Sequence, residues 1–359
     1  MTISSRDLAF LAQLTQAPSP SGYEEPAAQI FRERLSQSVD EVQTDVLGSV
    51  HGTLKGKDPQ GVAVLLAGHI DQVGYIVTHV DDEGFVSFTE IGGLDPGILP
   101  GSQLDIHTRG GVVRGVVGRN PIHGLDPQSE EYLKVTPYHK LFIDVGLSKT
   151  AAQERIAKGD PITFVSGFEH FGGDFIASQA FDNKIGAWLA VRIVEEVRKA
   201  GGAAGDVIAA GTVQEEIGLR GAVTTGHAFS PLVAIAFETG VATDYPTVDR
   251  VRFGDFKCGD GPHIARGANI NPVLFRLLVE AAEREGIPYQ VRPIPGGTPT
   301  DANALQLAGS GSATALISVP TRYMHTPNEV LRQADLEATL RLVTRFILDL
   351  PPGASFIPW

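Results

Sequence analysis

Cysteine is almost absent: one residue, Cys258, stands among 359. No intramolecular disulfide framework can form, and a reducing compartment, by default the cytoplasm, is expected. No run of about 18 apolar residues occurs, which excludes a membrane-spanning helix. Residues 1–7 lack a basic region followed by an apolar core, and Asp7 and Gln13 interrupt the apolar residues around them, so no signal peptide is expected. Positive charge is scarce as well. Lys and Arg number 29 against 42 Asp and Glu, a formal net charge of -13 with no basic tail, which argues against nucleic acid or an anionic membrane as partner. The pieces Gly92-Gly93 and Gly172-Gly173 do not follow a strand and open a helix, so nucleotide binding is disfavoured, and no nucleophile-elbow motif marks serine catalysis. What is present is a globular composition, 42% hydrophobic and 20% charged, in a chain long enough for one extended core or two domains.

Along the chain, apolar residues at helical spacing (Leu8, Leu11, Leu14; then Ala28, Ile30, Phe31, Leu35) predict two short helices over 7–16 and 25–36, parted by Pro18, Pro20 and Gly22. The apolar run 61–67 reads as a strand buried on both faces, as parallel strands are. From Tyr75 to about Val165 the texture changes to short alternating runs punctuated by turns such as Asp81-Asp82-Glu83-Gly84 and Leu99-Pro100-Gly101. That pattern predicts an inserted antiparallel sandwich or small barrel, with one helix over 148–158 capped by Ser148. Beyond Phe181, helices and parallel-type strands return. The expected order is helix 182–199 stopped by Gly201-Gly202, strands 206–213 and 232–237, helix 272–286, strand 289–293 and a helix to Leu307. Strand 313–319, a loop 320–328 and a helix 335–350 complete it. The alternation predicts an α/β fold: a three-layer sheet of largely parallel strands flanked by helices. Residues 1–74 and 166–359 would form one discontinuous domain, and 75–165 an inserted β-rich domain.

Chemistry concentrates at five places, at or just beyond strand ends or at a helix start: His69 with Asp71, Asp182, Glu215 with Glu216, Glu238, and His325. Singly, each has a bland reading: a core or loop histidine, a helix cap, a solvated acidic turn. Jointly those readings lose. Three of the places follow runs that read as buried parallel strands, and a fourth follows strand 313–319 by a short loop, so one sheet edge can gather them. Two imidazoles and three or more carboxylates without thiolates suit Zn²⁺, Co²⁺ or Mn²⁺. The carboxylates outnumber the needs of one zinc, whereas two metals bridged by one carboxylate would use them all. Side chains alternate along an extended backbone, so of the adjacent Glu215 and Glu216 one can face a metal and the other a water. His263 reads as a non-ligand, and His79, His107, His123, His139, His170 and His227 stand outside the strand-end set.

The motifs Ala67-Gly68-His69-Ile70-Asp71, Phe181-Asp182-Asn183-Lys184, Gln214-Glu215-Glu216-Ile217-Gly218-Leu219-Arg220-Gly221, Glu238 after its strand, and Tyr323-Met324-His325-Thr326-Pro327 resemble the M42 metallo-aminopeptidases of the MH clan, essentially over the whole chain. That family includes the tetrahedral (TET) aminopeptidases and proteins labelled glutamyl aminopeptidase or endoglucanase. The resemblance implies two divalent metal ions per subunit, Zn²⁺ or Co²⁺. Asp182 would bridge them, with His69 and Glu238 on one and Glu216 and His325 on the other. Glu215 would be the general base and Asp71 would orient His69. Two departures stand out: many relatives carry aspartate at Glu238, and Pro299 enters a loop that resembles a glycine-threonine-aspartate-alanine pattern. That loop would place Gly297, Thr300 and Asp301 beside the substrate, although Thr300 or Asp301 also reads as a helix cap. The resemblance further implies peptide substrates, a dimer-building inserted domain and a twelve-subunit hollow tetrahedron.

Three alternatives stay open on sequence: a related metal-dependent carboxypeptidase or deacylase, an endoglucanase-type glycosidase using two carboxylates and no metal, and a non-catalytic assembly protein. The preferred N-terminal residue is not legible, because the loops that would form its pocket cannot be placed.

Overall fold

The computed structural model describes residues 2–359. Four parallel strands form the centre of the larger sheet, in the order Val207–Thr212, Val64–His69, Val233–Val241, Ala313–Arg322. Their sequences are mostly apolar because both faces are covered, and alternation sorts the side chains between the covers. Val64 and Leu66 join the main core with Trp188 and Leu189, while Leu65 and Ala67 meet Ala222 and Leu305 on the other face. The main core side is built by helices Ser5–Gln16, Glu25–Leu35, Phe181–Lys199, Pro272–Glu285 and Gln333–Asp349. Arg220–Phe229 and Asp301–Gln306 cover the opposite face. This is the expected three-layer α/β arrangement.

The helix Phe181–Lys199 is the central pillar, buried along nearly its whole length. Its Trp188 is fully buried, and the indole N–H donates to the Asp7 carbonyl oxygen at 2.9 Å, so burial strands no donor. The first helix begins with a reciprocal capping box between Ser4 and Asp7.

Short pairs extend the sheet beyond the expected strands. Glu41–Thr44 and Val50–Leu54 add an antiparallel edge, and Glu169–Phe171, Phe175–Ser178 and Glu329–Arg332 add the other. His263–Gly267 pairs antiparallel with Ala313–Arg322 and parallel with Gln290–Ile294. Strands of three to five residues carry too little alternation to stand out from loops. Two boundaries are corrected. The last long strand runs through Pro320 to Arg322 rather than ending at residue 319, and Glu238 lies inside Val233–Val241 rather than after the strand.

The β-rich stretch forms a closed six-stranded barrel, in the order Gly74–Val80, Val86–Ile91, Phe142–Asp144, Gly111–Gly118, Gln103–Thr108, Pro161–Phe164. Tyr75 anchors its interior, meeting Phe88 and Phe164 edge to face at 5.4 and 5.7 Å. Helix Lys149–Arg155 lies where expected, and the Ser148 hydroxyl accepts from the Ala151 N–H.

Candidate metal centre

The carboxyl ends of the parallel strands deliver the side chains. His69 is the last residue of its strand, and Glu215 and Glu216 follow Val207–Thr212 after two residues. Glu238 lies in register with Ser318 of the neighbouring strand. Asp182 sits in the opening turn of the central helix, where it (φ -76°, ψ 107°) and Asn183 (φ -123°, ψ 38°) depart from helical geometry. Asn183 fixes that turn from both ends of its amide: Nδ2–H donates to the Phe237 carbonyl oxygen at 2.6 Å, and Oδ1 accepts from the Gly186 N–H at 3.1 Å. His325 arrives from the turn after Ala313–Arg322.

These residues converge. His69 Nε2 lies 3.3 Å from Asp182 Oδ1 and 3.7 Å from both Glu215 Oε2 and Glu238 Oε2. His325 Nε2 lies 3.5 Å from Asp182 Oδ2 and 3.4 Å from Glu216 Oε1. Three overlapping groups have donor atoms within 4.8 Å of one another: His69, Asp182 and Glu238; His69, Glu215 and Glu216; and Asp182, Glu216 and His325. Both imidazoles are aimed by backbone oxygens. His69 Nδ1 donates to the Asp71 carbonyl at 3.2 Å, and His325 Nδ1 to the Gly93 carbonyl at 2.7 Å, which leaves Nε2 of each for the cluster.

The electrostatics is that of a cation site. Burial pushes Glu215 up to about 9, with Asp301, Glu216 and Asp182 adding repulsion against the pull of His69. Burial also raises Glu216 and Glu238. For Asp182 burial is overcome by hydrogen bonds from His325 and His69, and its carboxyl is held well below the usual range. Burial opposes protonation of His325, yet Asp182 and Glu216 lift it to about 11. Glu216 Oε1 and Glu238 Oε1 are buried and complete no hydrogen bond. Carboxylates that cannot all ionise, orphaned oxygens and imidazoles pulled towards protonation make a donor set that divalent cations would satisfy, and the residues fit such ions.

Asp71 does more than face an imidazole. Its carboxylate lies 3.4 Å from His69 Nδ1, accepts from the Ser21 hydroxyl at 2.6 Å, and accepts from the main-chain N–H groups of Glu215 and Glu216 at 3.1 and 3.2 Å. Glu329 acts similarly from the other side, accepting from the N–H groups of Asp182 (2.9 Å) and His325 (2.8 Å). Glu24 accepts from Gln214 N–H at 3.1 Å. Gln214 and His325 both adopt left-handed backbone (φ 56° and 59°), which costs about 1–3 kcal/mol at a non-glycine residue, so these carboxylates sit where the chain needs holding. Sequence reading missed Ser21, Glu24 and Glu329, and no motif or periodicity marks them.

A cavity of about 530 Å³ opens on the cluster, lined also by Thr239, Val241, Arg292, Ile294, Thr300 and Leu316. Thr300 thus reaches the cavity, and its side chain caps nothing. Asp301 is buried behind, accepting from the Thr212 hydroxyl at 2.5 Å, and burial raises its carboxyl to about 6. Gly297 is exposed and outside the lining. His263 belongs to none of the three metal-holding groups found among the described residues.

Comparison with known proteins agrees with the geometry. A family model described as M42 glutamyl aminopeptidase matches residues 48–342. Lysyl aminopeptidase of Pyrococcus furiosus is 32% identical over 349 residues, 96% of this chain and 98% of its own. The crystal structure of a TET aminopeptidase from a marine sediment archaeon of the Thaumarchaeota superposes with a TM-score of 0.90 at 33% identity over 96% of each chain. The TET1 peptidase of Pyrococcus horikoshii, which can assemble into a tetrahedron or a large octahedral shell, superposes with a TM-score of 0.83 at 29% identity, covering 96% of this chain and all of its own, 100%. Because the likeness covers nearly the whole chain, sheet and barrel alike, the chain belongs to the M42 glutamyl aminopeptidase family and is a metal-dependent aminopeptidase.

Proposed function

We propose that the cluster is a co-catalytic centre for two divalent cations, Zn²⁺ or Co²⁺, and that Glu215 is the general base for hydrolysis of the first peptide bond. The observation that carries this reading is the posture of Asp182. Its Oδ1 faces His69 and its Oδ2 faces His325, as a bridging carboxylate must. His69 and Glu238 complete one half of the site, Glu216 and His325 the other.

Bound there, the cations would hold the free amino terminus, polarise the scissile carbonyl and acidify a water between them. Glu215 takes a proton from the attacking water as its oxygen bonds to the carbonyl carbon, and delivers it to the leaving nitrogen as the C–N bond breaks. Asp71 keeps Glu215 and Glu216 in place through their N–H groups and faces His69. Thr300 contacts the substrate from the cavity wall, and Asp301 supports that wall from behind.

Peptides with a free N-terminus are the substrates. We assign residues 75–165 to assembly: Val112 and Val116, 54% and 45% exposed on the outer face of the barrel, offer an apolar surface to a second copy. Dimers built there would assemble into a dodecamer, as the likeness to a tetrahedron-forming peptidase supports. The single cysteine, free and buried, suits the cytoplasm, and no helix among the described residues is long and apolar enough to cross a membrane. A two-carboxylate glycosidase would leave His69 and His325 unused, and no observation favours it.

The test uses protein stripped by chelation and reconstituted with Zn²⁺ or Co²⁺, assayed on aminoacyl chromogenic substrates with free or acetylated amino groups. Turnover is expected only with metal and only on the free amine. Activity that survives metal removal, or appears equally on acetylated substrates, contradicts the reading.

A further inference from the structure

The same cavity contains a charge that the hydrolytic machinery leaves unused. Arg292 lies on Gln290–Ile294, whose alternate residues Arg292 and Ile294 both line the cavity. Its guanidinium stands 5.7 Å from the centre of the Phe256 ring, and among the described residues it makes no ion pair and no hydrogen bond. No carboxylate raises it; burial alone acts on it, and lowers it. Arginine keeps its charge under such conditions, so the cavity wall carries an uncompensated cation.

Behind it sits His263, 1% exposed, with neither ring nitrogen hydrogen-bonded. Burial, together with the Arg292 charge, lowers this imidazole to about 3, so it is neutral and leaves the Arg292 charge unpaired. The other lining around Arg292 is apolar or uncharged: Val241, Ile294, Leu316 and Thr239. A half-buried arginine with five N–H donors and no acceptor is costly unless a ligand supplies one.

The register gives the reach. Glu238 pairs with Ser318, Ser318 with His263, and His263 with Gln290, so the strand of Arg292 stands three ladder steps from that of Glu238, and Arg292 itself lies two residues farther along, opposite Ala265. Three steps of the usual strand spacing, with two residues of rise along the strand, are about 16 Å. An arginine and a short substrate side chain ending in a carboxylate can bridge that span from opposite sides.

We infer that Arg292 is the specificity-determining residue of the pocket for the substrate's first side chain, and that this enzyme prefers peptides beginning with an acidic residue, glutamate or aspartate. The inference rests on the aminopeptidase reading and adds to it. Membership of the family does not fix the preference, since a relative that matches along the whole chain is a lysyl aminopeptidase.

The test is kcat/KM of the metal-loaded enzyme on glutamyl, glutaminyl, leucyl and lysyl chromogenic amides, for the natural chain, Arg292→Gln and Arg292→Glu. Glutamyl is expected to exceed its neutral isostere glutaminyl by roughly ten- to a hundredfold, the range of a hydrogen bond to a charged group. Arg292→Gln should bring that ratio to within about threefold of unity, and Arg292→Glu should move the glutamyl-to-lysyl ratio towards lysyl. A natural chain that hydrolyses glutaminyl, leucyl or lysyl amides as well as glutamyl overturns the inference even if neither variant folds, and so does an unchanged ratio in Arg292→Gln. Hydrolysis of none of the four would instead sink the aminopeptidase reading, and the inference with it.

Discussion

His325 enters the cluster carrying two constraints: a left-handed backbone, and a ring whose Nδ1 is tied to the barrel's Gly93. In the metal-free site its imidazole titrates near 11, so it is protonated at neutral pH and must lose that proton to become a ligand. Metal uptake therefore releases protons. Apparent metal affinity should rise with pH across 6 to 8, and titration calorimetry in buffers of different ionisation enthalpy checks it. Glu329 holds His325 and Asp182 by their N–H groups, using one oxygen for each. Glu329→Gln replaces one acceptor with a donor, so competition against a chelator should show metal affinity lower by about ten- to a hundredfold. The candidate ligands were legible in the sequence because histidine, aspartate and glutamate beside buried strands are chemically conspicuous. Ser21, Glu24 and Glu329 were not, since each acts on N–H groups or a carboxylate far away in sequence. Arg292 was hidden too: in sequence it is one charge in a short strand.

At the scale of elements, the central parallel strands could be read because burial on both faces writes a continuous apolar run, and the helices because their stripes repeat every three to four residues. The edge strands escaped notice. Glu329–Arg332 matters most among them, for it carries the carboxylate that holds two candidate ligands, yet four residues give no period. The helix Phe181–Lys199 connects core to chemistry, with Trp188 in its regular part and Asp182 in its non-helical opening turn. Trp188→Ala should cost about 3–5 kcal/mol, leaving a cavity and removing the indole donor from the Asp7 carbonyl. Chemical denaturation checks this, with metal content measured on the folded fraction, where the ligands should still bind.

At the scale of the whole molecule, sheet and barrel meet at the candidate site, because Gly93 of the barrel segment orients His325. The change of texture near Tyr75 revealed an insertion, but nothing in the sequence told that the insertion would touch the cluster. If the barrel's outer face builds the assembly, Val116→Asp should lower the mass measured by light scattering, whereas an equivalent change at the exposed Val251, on the other part of the molecule, should not. Folding gathers several carboxylates that repel one another without cations, so chelation should lower the melting temperature and Zn²⁺ should restore it.

The assignment of Glu215 as base and Glu216 as ligand is tested most directly by measuring metal content and turnover of Glu215→Gln beside Asp182→Asn. Glu215→Gln should keep two metal equivalents per chain while kcat falls roughly a hundred- to ten-thousandfold. Asp182→Asn should lose metal. Metal loss in Glu215→Gln, or turnover close to that of the natural chain, would contradict the account.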